Sequence, residues 1–222
     1  MKNIGFLFDL DGVIVDTAKY HFLAWKKTAN KLNINFTQEH NELLKGVSRV
    51  ASLEILLGID NVKISEEEKQ QILVDKNEDY LEYIGKMTAK EILPGVIMIL
   101  DFLEKNNIKY ALGSASKNAP FILKKVGLYE RFSAIVDGND VSKAKPDPEV
   151  FFIGAKKINV KPEKCVVFED AIAGIDAANA AKMISIGVGD KATLNKADYV
   201  FGSLSEISES FMEKLVEETL KK

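Results

Sequence analysis

Only one cysteine, Cys165, occurs in the 222 residues, at the start of the apolar run CVVF. An internal disulfide is therefore excluded, and a buried thiol in a reducing cytoplasm is expected. Basic blocks are also missing. The 30 Lys and Arg and the 33 Asp and Glu are interspersed and leave a net charge of −3. That pattern offers no surface for nucleic acid or an anionic membrane, so neither is expected as a partner. It does not exclude a small phosphorylated substrate, which needs positive charge only locally. No apolar run approaches the length of a membrane span. A secretory leader is not expected either, because Asp9 interrupts the short apolar stretch near the first residue. There is no internal repeat and no low-complexity segment. Nothing demands a dimer, and a monomer is expected. What the chain does have is 46% apolar residues, enough for a sizeable core.

Those apolar residues fall into short, nearly continuous runs: IGFLFDL (4–10), IKYALGS (108–114), SAIVDG (133–138), KCVVFED (164–170), MISIGVG (183–189) and DYVFGS (198–203). Continuous rather than alternating runs predict strands buried on both faces. Helical patterns separate them. Val96, Ile99, Leu100 and Leu103 share one face, and Asp147 is placed to cap a helix with Pro148 at its first position. The alternation predicts an α/β fold, a Rossmann-like doubly wound parallel sheet. One interval breaks the rhythm, because about a hundred residues separate the first two strands, too many for a crossover helix. Apolar residues recur at Phe22, Trp25, Ala29 and Leu32, and Ser65 with Glu68 forms a capping box. Residues 16–88 are therefore expected to form an inserted helical cap over a core domain of residues 1–15 and 89–222.

In open α/β sheets ligands bind beyond the carboxyl ends of the strands. Those ends supply Asp9 and Asp11, Ser114, the segment with Lys145, and Glu169 with Asp170. Four carboxylates brought together repel unless something compensates, and a hard divalent cation, Mg2+, is the expected cofactor. A calcium-binding loop does not fit DLDG, because Val13 and Tyr20 stand where oxygen ligands belong.

DLDGVIVDT, a serine closing the second strand, a lysine before a proline and ED closing a later strand resemble, in that order, the haloacid dehalogenase superfamily of phosphotransferases. DTAKYHFLAWK, LKGVSR, SASKN and SKAKPDP carry the resemblance through the insertion, toward the sugar-phosphate mutases of that superfamily. The resemblance implies an intramolecular phosphoryl transfer with Asp9 as nucleophile and Asp11 as general acid and base. It implies metal ligation by Asp9, the Asp11 carbonyl, Glu169 and Asp170, and binding of the transferring phosphoryl group by Ser114, Ala115 and Lys145. A sugar-phosphate phosphatase on the same fold is the alternative, and a non-catalytic sugar-phosphate sensor the rival from another class.

The insertion adds candidates that also have plainer readings. Thr17, His21 and Trp25 are spaced along one helix face, and Trp25 suits a core equally well. Lys76 sits on the apolar line Leu73, Lys76, Tyr80, where its head could simply snorkel to water. Ser48 could be no more than a helix cap, and so could Ser116 and Asn118. The resemblance instead makes Lys45, Gly46, Val47, Ser48, Arg49 and Ser52 a substrate-specificity segment. It assigns Arg49 to the phosphate not undergoing transfer, Thr17, His21, Trp25 and Lys76 to the substrate, and Ser116, Lys117 and Asn118 to the distal phosphate.

Overall fold

The computed structural model describes residues 3–45 and 47–221. The strands are β1 (Gly5–Phe8), β2 (Lys109–Gly113), β3 (Ala134–Val136), β4 (Cys165–Glu169), β5 (Ile184–Val188) and β6 (Tyr199–Phe201). Among the described residues they form one sheet in the order β3-β2-β1-β4-β5-β6, with every pairing parallel. The expected fold class is the observed one.

The side-chain period of two sorts the central strands between two cores. Phe6 and Phe8 of β1 join Val166 and Phe168 of β4 on one face, and Leu7 joins Cys165 and Val167 on the other. The register sets Phe8 beside Phe168, with the rings stacked at 4.9 Å. α5 (Val96–Lys105), α6 (Ala119–Val126) and α9 (Glu209–Lys221) cover the first face. The other is covered by α7 (Glu149–Lys157) and α8 (Ile172–Ala180). Full burial of a large apolar side chain contributes roughly 1.5–3 kcal/mol. The Val96, Ile99, Leu100 and Leu103 stripe lies in this core, as its spacing predicts.

One boundary differs from the sequence reading. α7 begins at Glu149, with Pro148 as the residue before it rather than the first helical one. The Asp147 carboxylate still accepts the Glu149 amide at 3.0 Å. The shift is one residue, because Pro148 already supplies its carbonyl to the amides of Phe151 and Phe152.

Between β1 and β2 lie α1 (Ala18–Lys31), α2 (Gln38–Glu42), α3 (Arg49–Ile59) and α4 (Glu66–Ile84). They have their own apolar cluster, including Trp25, Phe36, Leu53, Leu56, Leu57 and Leu73. Ser65 and Glu68 cap α4 reciprocally, and Ser48 caps α3 by accepting the Ala51 amide. Where the chain leaves and re-enters the sheet, its two passes are joined. The Asp16 amide donates to Glu91 carbonyl and the Leu93 amide to Ile14 carbonyl. That junction sets α1 and α4 over the carboxyl end of β1. Among the described residues no helix is long and apolar enough to cross a membrane.

Candidate active site

The sheet order makes β1 the switch point, flanked by β2 and β4, so the residues that follow these strands meet in space. Asp9 is buried, and its amide donates to Phe168 carbonyl. One carboxylate oxygen accepts the Asp11 amide at 3.0 Å and the other meets Lys145 Nζ at 2.5 Å. Lys145 also pairs with Glu169, whose second oxygen accepts the Ala171 amide at 2.9 Å. A buried ammonium thus stands between two carboxylates. Burial pulls its pKa down, but the charges of Asp9 and Glu169 outweigh burial and hold it above the usual range.

Asp9, Glu169 and Asp170 each offer an oxygen within 4.8 Å of the others. Two glycines make room for this. A side chain at Gly12, where φ is +80°, would overlap the Asp170 carboxylate, and one at Gly174 would overlap that of Glu169. Crowding shows in the protonation. Burial lifts Glu169 to about 7, against the Lys145 charge and with that of Asp9. Asp170 is raised well above the ordinary carboxylate range, first by burial and then by Glu169 and Asp9. Three acids that repel, with a single buried ammonium beside two of them, fit a hard divalent cation bound by oxygen.

Asp11 stands at the cleft floor. Burial lifts its carboxyl to about 6, the Asp9 charge adds to the lift, and a hydrogen bond from Thr17 opposes it. A carboxyl near 6 can both give and take a proton at neutral pH. His21 Nε2 lies 3.8 Å from Asp11, and Lys76 Nζ is 3.3 Å from His21 Nδ1. Burial and the charges of Lys76 and Arg49 keep His21 well below its ordinary pKa. Lys76 does not snorkel. It is 2% exposed, over the rings of Trp25 and Tyr80 at 4.8 and 4.6 Å. Burial and the Arg49 charge lower its pKa to about 7, against the pull of Asp11.

A cleft of about 470 Å³ lies between this floor and the helices above. Asp9, Asp11, His21, Trp25, Lys45, Val47, Ser48, Arg49, Ser52, Lys76, Ala115, Ser116, Lys117, Asn118 and Asp170 all line it. Trp25 is both wall and core, since it also belongs to the apolar cluster of the insertion. Lys45 bridges Glu42 at 2.8 Å and Asp170 at 3.9 Å, linking the insertion to the acidic group. Arg49 donates to Leu73 carbonyl at 3.2 Å, which fixes its guanidinium at the wall.

The remaining candidates are placed elsewhere. Ser114, Lys145 and Glu169 are buried below the floor, and the Ser114 hydroxyl accepts the Ser116 amide at 3.1 Å. Thr17 is fully buried and donates its hydroxyl to Asp11, which is why it forms no cap bond to α1. Gly46 lies outside the described residues. Ser116 does take the turn role, accepting the Asn118 amide at 3.2 Å, while the Asn118 side chain reaches across to Asn77 at 3.0 Å.

Residues 5–182 match the model of the haloacid dehalogenase-like hydrolases. The chain belongs to this family. It is 44% identical over 204 residues to the β-phosphoglucomutase of Bacillus subtilis, covering 91% of this chain and 90% of that protein. Over 178 residues it is 32% identical to a phosphorylated carbohydrates phosphatase of Thermotoga maritima, covering 79% and 80%. The crystal structure of a β-phosphoglucomutase from Clostridium difficile superposes with a TM-score of 0.94 at 42% identity, over the full length of both chains.

Within this haloacid dehalogenase-like frame the cleft is also lined by residues outside the sequence candidates, Asn41, Asn77 and Tyr80 among them. Tyr80 lies on the line with Leu73 and Lys76 on α4, where it reads as an apolar neighbour and not as a site residue, and Asn77 falls between them. Asn41 sits on a helix of five residues, too short for any periodicity to reveal.

Proposed function

We propose that the chain is a Mg2+-dependent β-phosphoglucomutase, interconverting β-D-glucose 1-phosphate and D-glucose 6-phosphate through β-glucose 1,6-bisphosphate. In this reading residues 1–15 and 89–222 are the core domain, residues 16–88 are a cap, and the protein works as a cytoplasmic monomer. The observation that carries it is a second cationic group, Arg49 and Lys117, lining the same cleft as Asp9 and Asp11. A phosphatase needs one phosphate site, whereas a mutase acting through a bisphosphate needs two.

Asp9 Oδ attacks the phosphorus, the bond to the sugar oxygen breaks, and Asp11 gives that oxygen its proton. Asp11 then accepts a proton from the free hydroxyl of β-glucose 1-phosphate that attacks the aspartyl phosphate, which frees Asp9 and forms the bisphosphate; the bisphosphate turns round before Asp9 attacks its other phosphorus. Lys145, already paired with Asp9, offsets charge as it shifts from carboxylate to phosphoryl group. Asp9, the Asp11 carbonyl, Glu169 and Asp170 would hold Mg2+, which neutralises and orients the phosphoryl oxygens when bound. Ser114 lies under the Ser116 amide, so its part is to shape the Ala115–Asn118 turn around the phosphate. His21 and Lys76, held near neutrality and close to Asp11, orient its carboxyl and the sugar beside it. The helices above would exclude water and protect the aspartyl phosphate.

The second reading, a sugar-phosphate phosphatase, is favoured by the likeness to the Thermotoga maritima enzyme. Phosphorus NMR of the protein with Mg2+, β-glucose 1-phosphate and the bisphosphate separates the two. Isomerised sugar phosphate is expected, and release of inorganic phosphate alone would replace the mutase with the phosphatase.

Arg49 gives a sharper test. Losing a charge-assisted contact to phosphate costs on the order of 1.5–3 kcal/mol, roughly ten- to a hundredfold. Arg49→Ala is expected to lower conversion of β-glucose 1-phosphate by that factor. Phosphorylation of Asp9 by acetyl phosphate, which has no distal phosphate, should stay near the wild-type rate. Equal losses in both reactions would assign Arg49 to the core site or to folding.

A further inference from the structure

Among the described residues, two buried side-chain atoms have no hydrogen-bond partner, Asn41 Oδ1 and Tyr80 Oη, and both residues line the cleft. Buried polar atoms left unpaired are uncommon, and each demands an account. The Tyr80 hydroxyl stands beside Thr17 and Asp11 and belongs with the reacting groups. Asn41 comes from a different element, α2, and its residue is only 4% exposed.

The backbone around Asn41 is firmly set. Thr37 and His40 cap α2 reciprocally, the Asn41 amide donates to Thr37 carbonyl, and Asn41 carbonyl accepts the Leu44 amide. Asn41 thus lines the cleft from a short, pinned helix, with its Oδ1 buried, shortly before Lys45 in the chain. Its unpaired end cannot serve a phosphate, whose oxygens accept and do not donate at the carboxamide oxygen. A neutral hydroxyl, both donor and acceptor, satisfies either end of the amide.

We propose that Asn41 is a specificity-determining residue whose buried amide hydrogen-bonds a ring hydroxyl of the sugar phosphate, between the two phosphate ends. The inference rests on the sugar-phosphate reading of this site and adds to it a contact with the sugar itself. Selectivity follows from the burial. A sugar lacking the matching hydroxyl leaves the amide unpaired, and sites of this kind reject such analogues strongly.

The test measures calorimetric binding of glucose 6-phosphate, and of monodeoxy analogues lacking one ring hydroxyl at a time, to wild type, Asn41→Ala and Asn41→Leu. Wild type is expected to lose about tenfold or more in affinity for one analogue. The variants should lose a similar factor for glucose 6-phosphate and show no further loss with that analogue. Melting temperature separates a binding role from a structural one. Removing an unpaired buried amide should leave the ligand-free melting temperature unchanged or raise it. Variants that lose affinity equally for every analogue, or that melt several degrees lower, would make Asn41 a structural residue. Wild type indifferent to every ring hydroxyl would overturn the proposal without any variant. Wild type that binds glucose 6-phosphate with this selectivity yet isomerises nothing would remove the mutase reading and leave Asn41 in place. Absence of sugar-phosphate binding would overturn both.

Discussion

Asp9→Asn is expected to abolish turnover, by about 10⁴-fold or more, while the protein stays folded. Asp9 is the one carboxylate that faces the cleft with Lys145 at 2.5 Å on one oxygen and the Asp11 amide on the other. An amide of the same shape cannot form an acyl phosphate. The carboxamide oxygen of the variant can still accept the Asp11 amide, and Lys145 keeps Glu169 as its partner. Charge balance softens the change further, because the substitution removes one of the charges that raise Asp11, Glu169 and Asp170. The loss of stability should therefore stay below about 3 kcal/mol, the usual cost of weakening one buried charged hydrogen bond. The measurement pairs a coupled assay for glucose 6-phosphate with a thermal melt and with labelling by acetyl phosphate. Activity within tenfold of wild type, or a labelled variant, would take the nucleophile role away from Asp9.

How much of this site can be read from the sequence depends on which distances decide it. Asp9, Asp11, Glu169 and Asp170 are legible because each closes a continuous apolar run, and parallel strands end on one side of a sheet. The inserted helices are legible because the gap between β1 and β2 is too long for one crossover, and Ser48 and Ser65 mark helix starts with local chemistry. Lys76 is different. Its two readings, snorkelling or pointing into the cleft, differ only in whether aromatic rings from elsewhere enclose it. Trp25, on another helix far back in the chain, is one of the rings that does so. Thr17 likewise depends on contacts that spacing does not show. Its helical spacing with His21 holds, and in the fold its buried hydroxyl donates to Asp11. Asn41 has no sequence signal at all, because what singles it out is an unpaired atom, and pairing is a property of the folded neighbourhood.

Asp170→Ala should act in opposite directions on the metal-free and metal-loaded protein. Asp170 has the least internal compensation in the acidic group. Glu169 has Lys145 and the Ala171 amide, and Asp9 has Lys145 and the Asp11 amide. The Asp170 carboxylate meets Lys45 at 3.9 Å. Removing it should raise the Mg2+ concentration for half-activation about a hundredfold or more, since a charged ligand is lost from a site built of few. Stability then gives a second readout. A ligand at a hundred times its Kd stabilises by about 2.7 kcal/mol, so saturating Mg2+ should raise the wild-type melting temperature and leave the variant almost unmoved. Without metal the sign reverses. Asp11, Glu169 and Asp170 all have folded-state pKa values above their ordinary 3.8–4.5. The native chain therefore binds protons that the unfolded chain releases. The contribution of these three groups to stability is greatest below that ordinary range and declines as pH rises toward about 7, the value reached by Glu169. Taking away Asp170 removes its own part of the decline and lowers the repulsion on Glu169. The variant in chelator should therefore melt higher than wild type at neutral pH and show a flatter pH profile. A variant that keeps wild-type Mg2+ activation, or that melts lower than wild type in chelator at neutral pH, would show that Asp170 supports the fold rather than the metal.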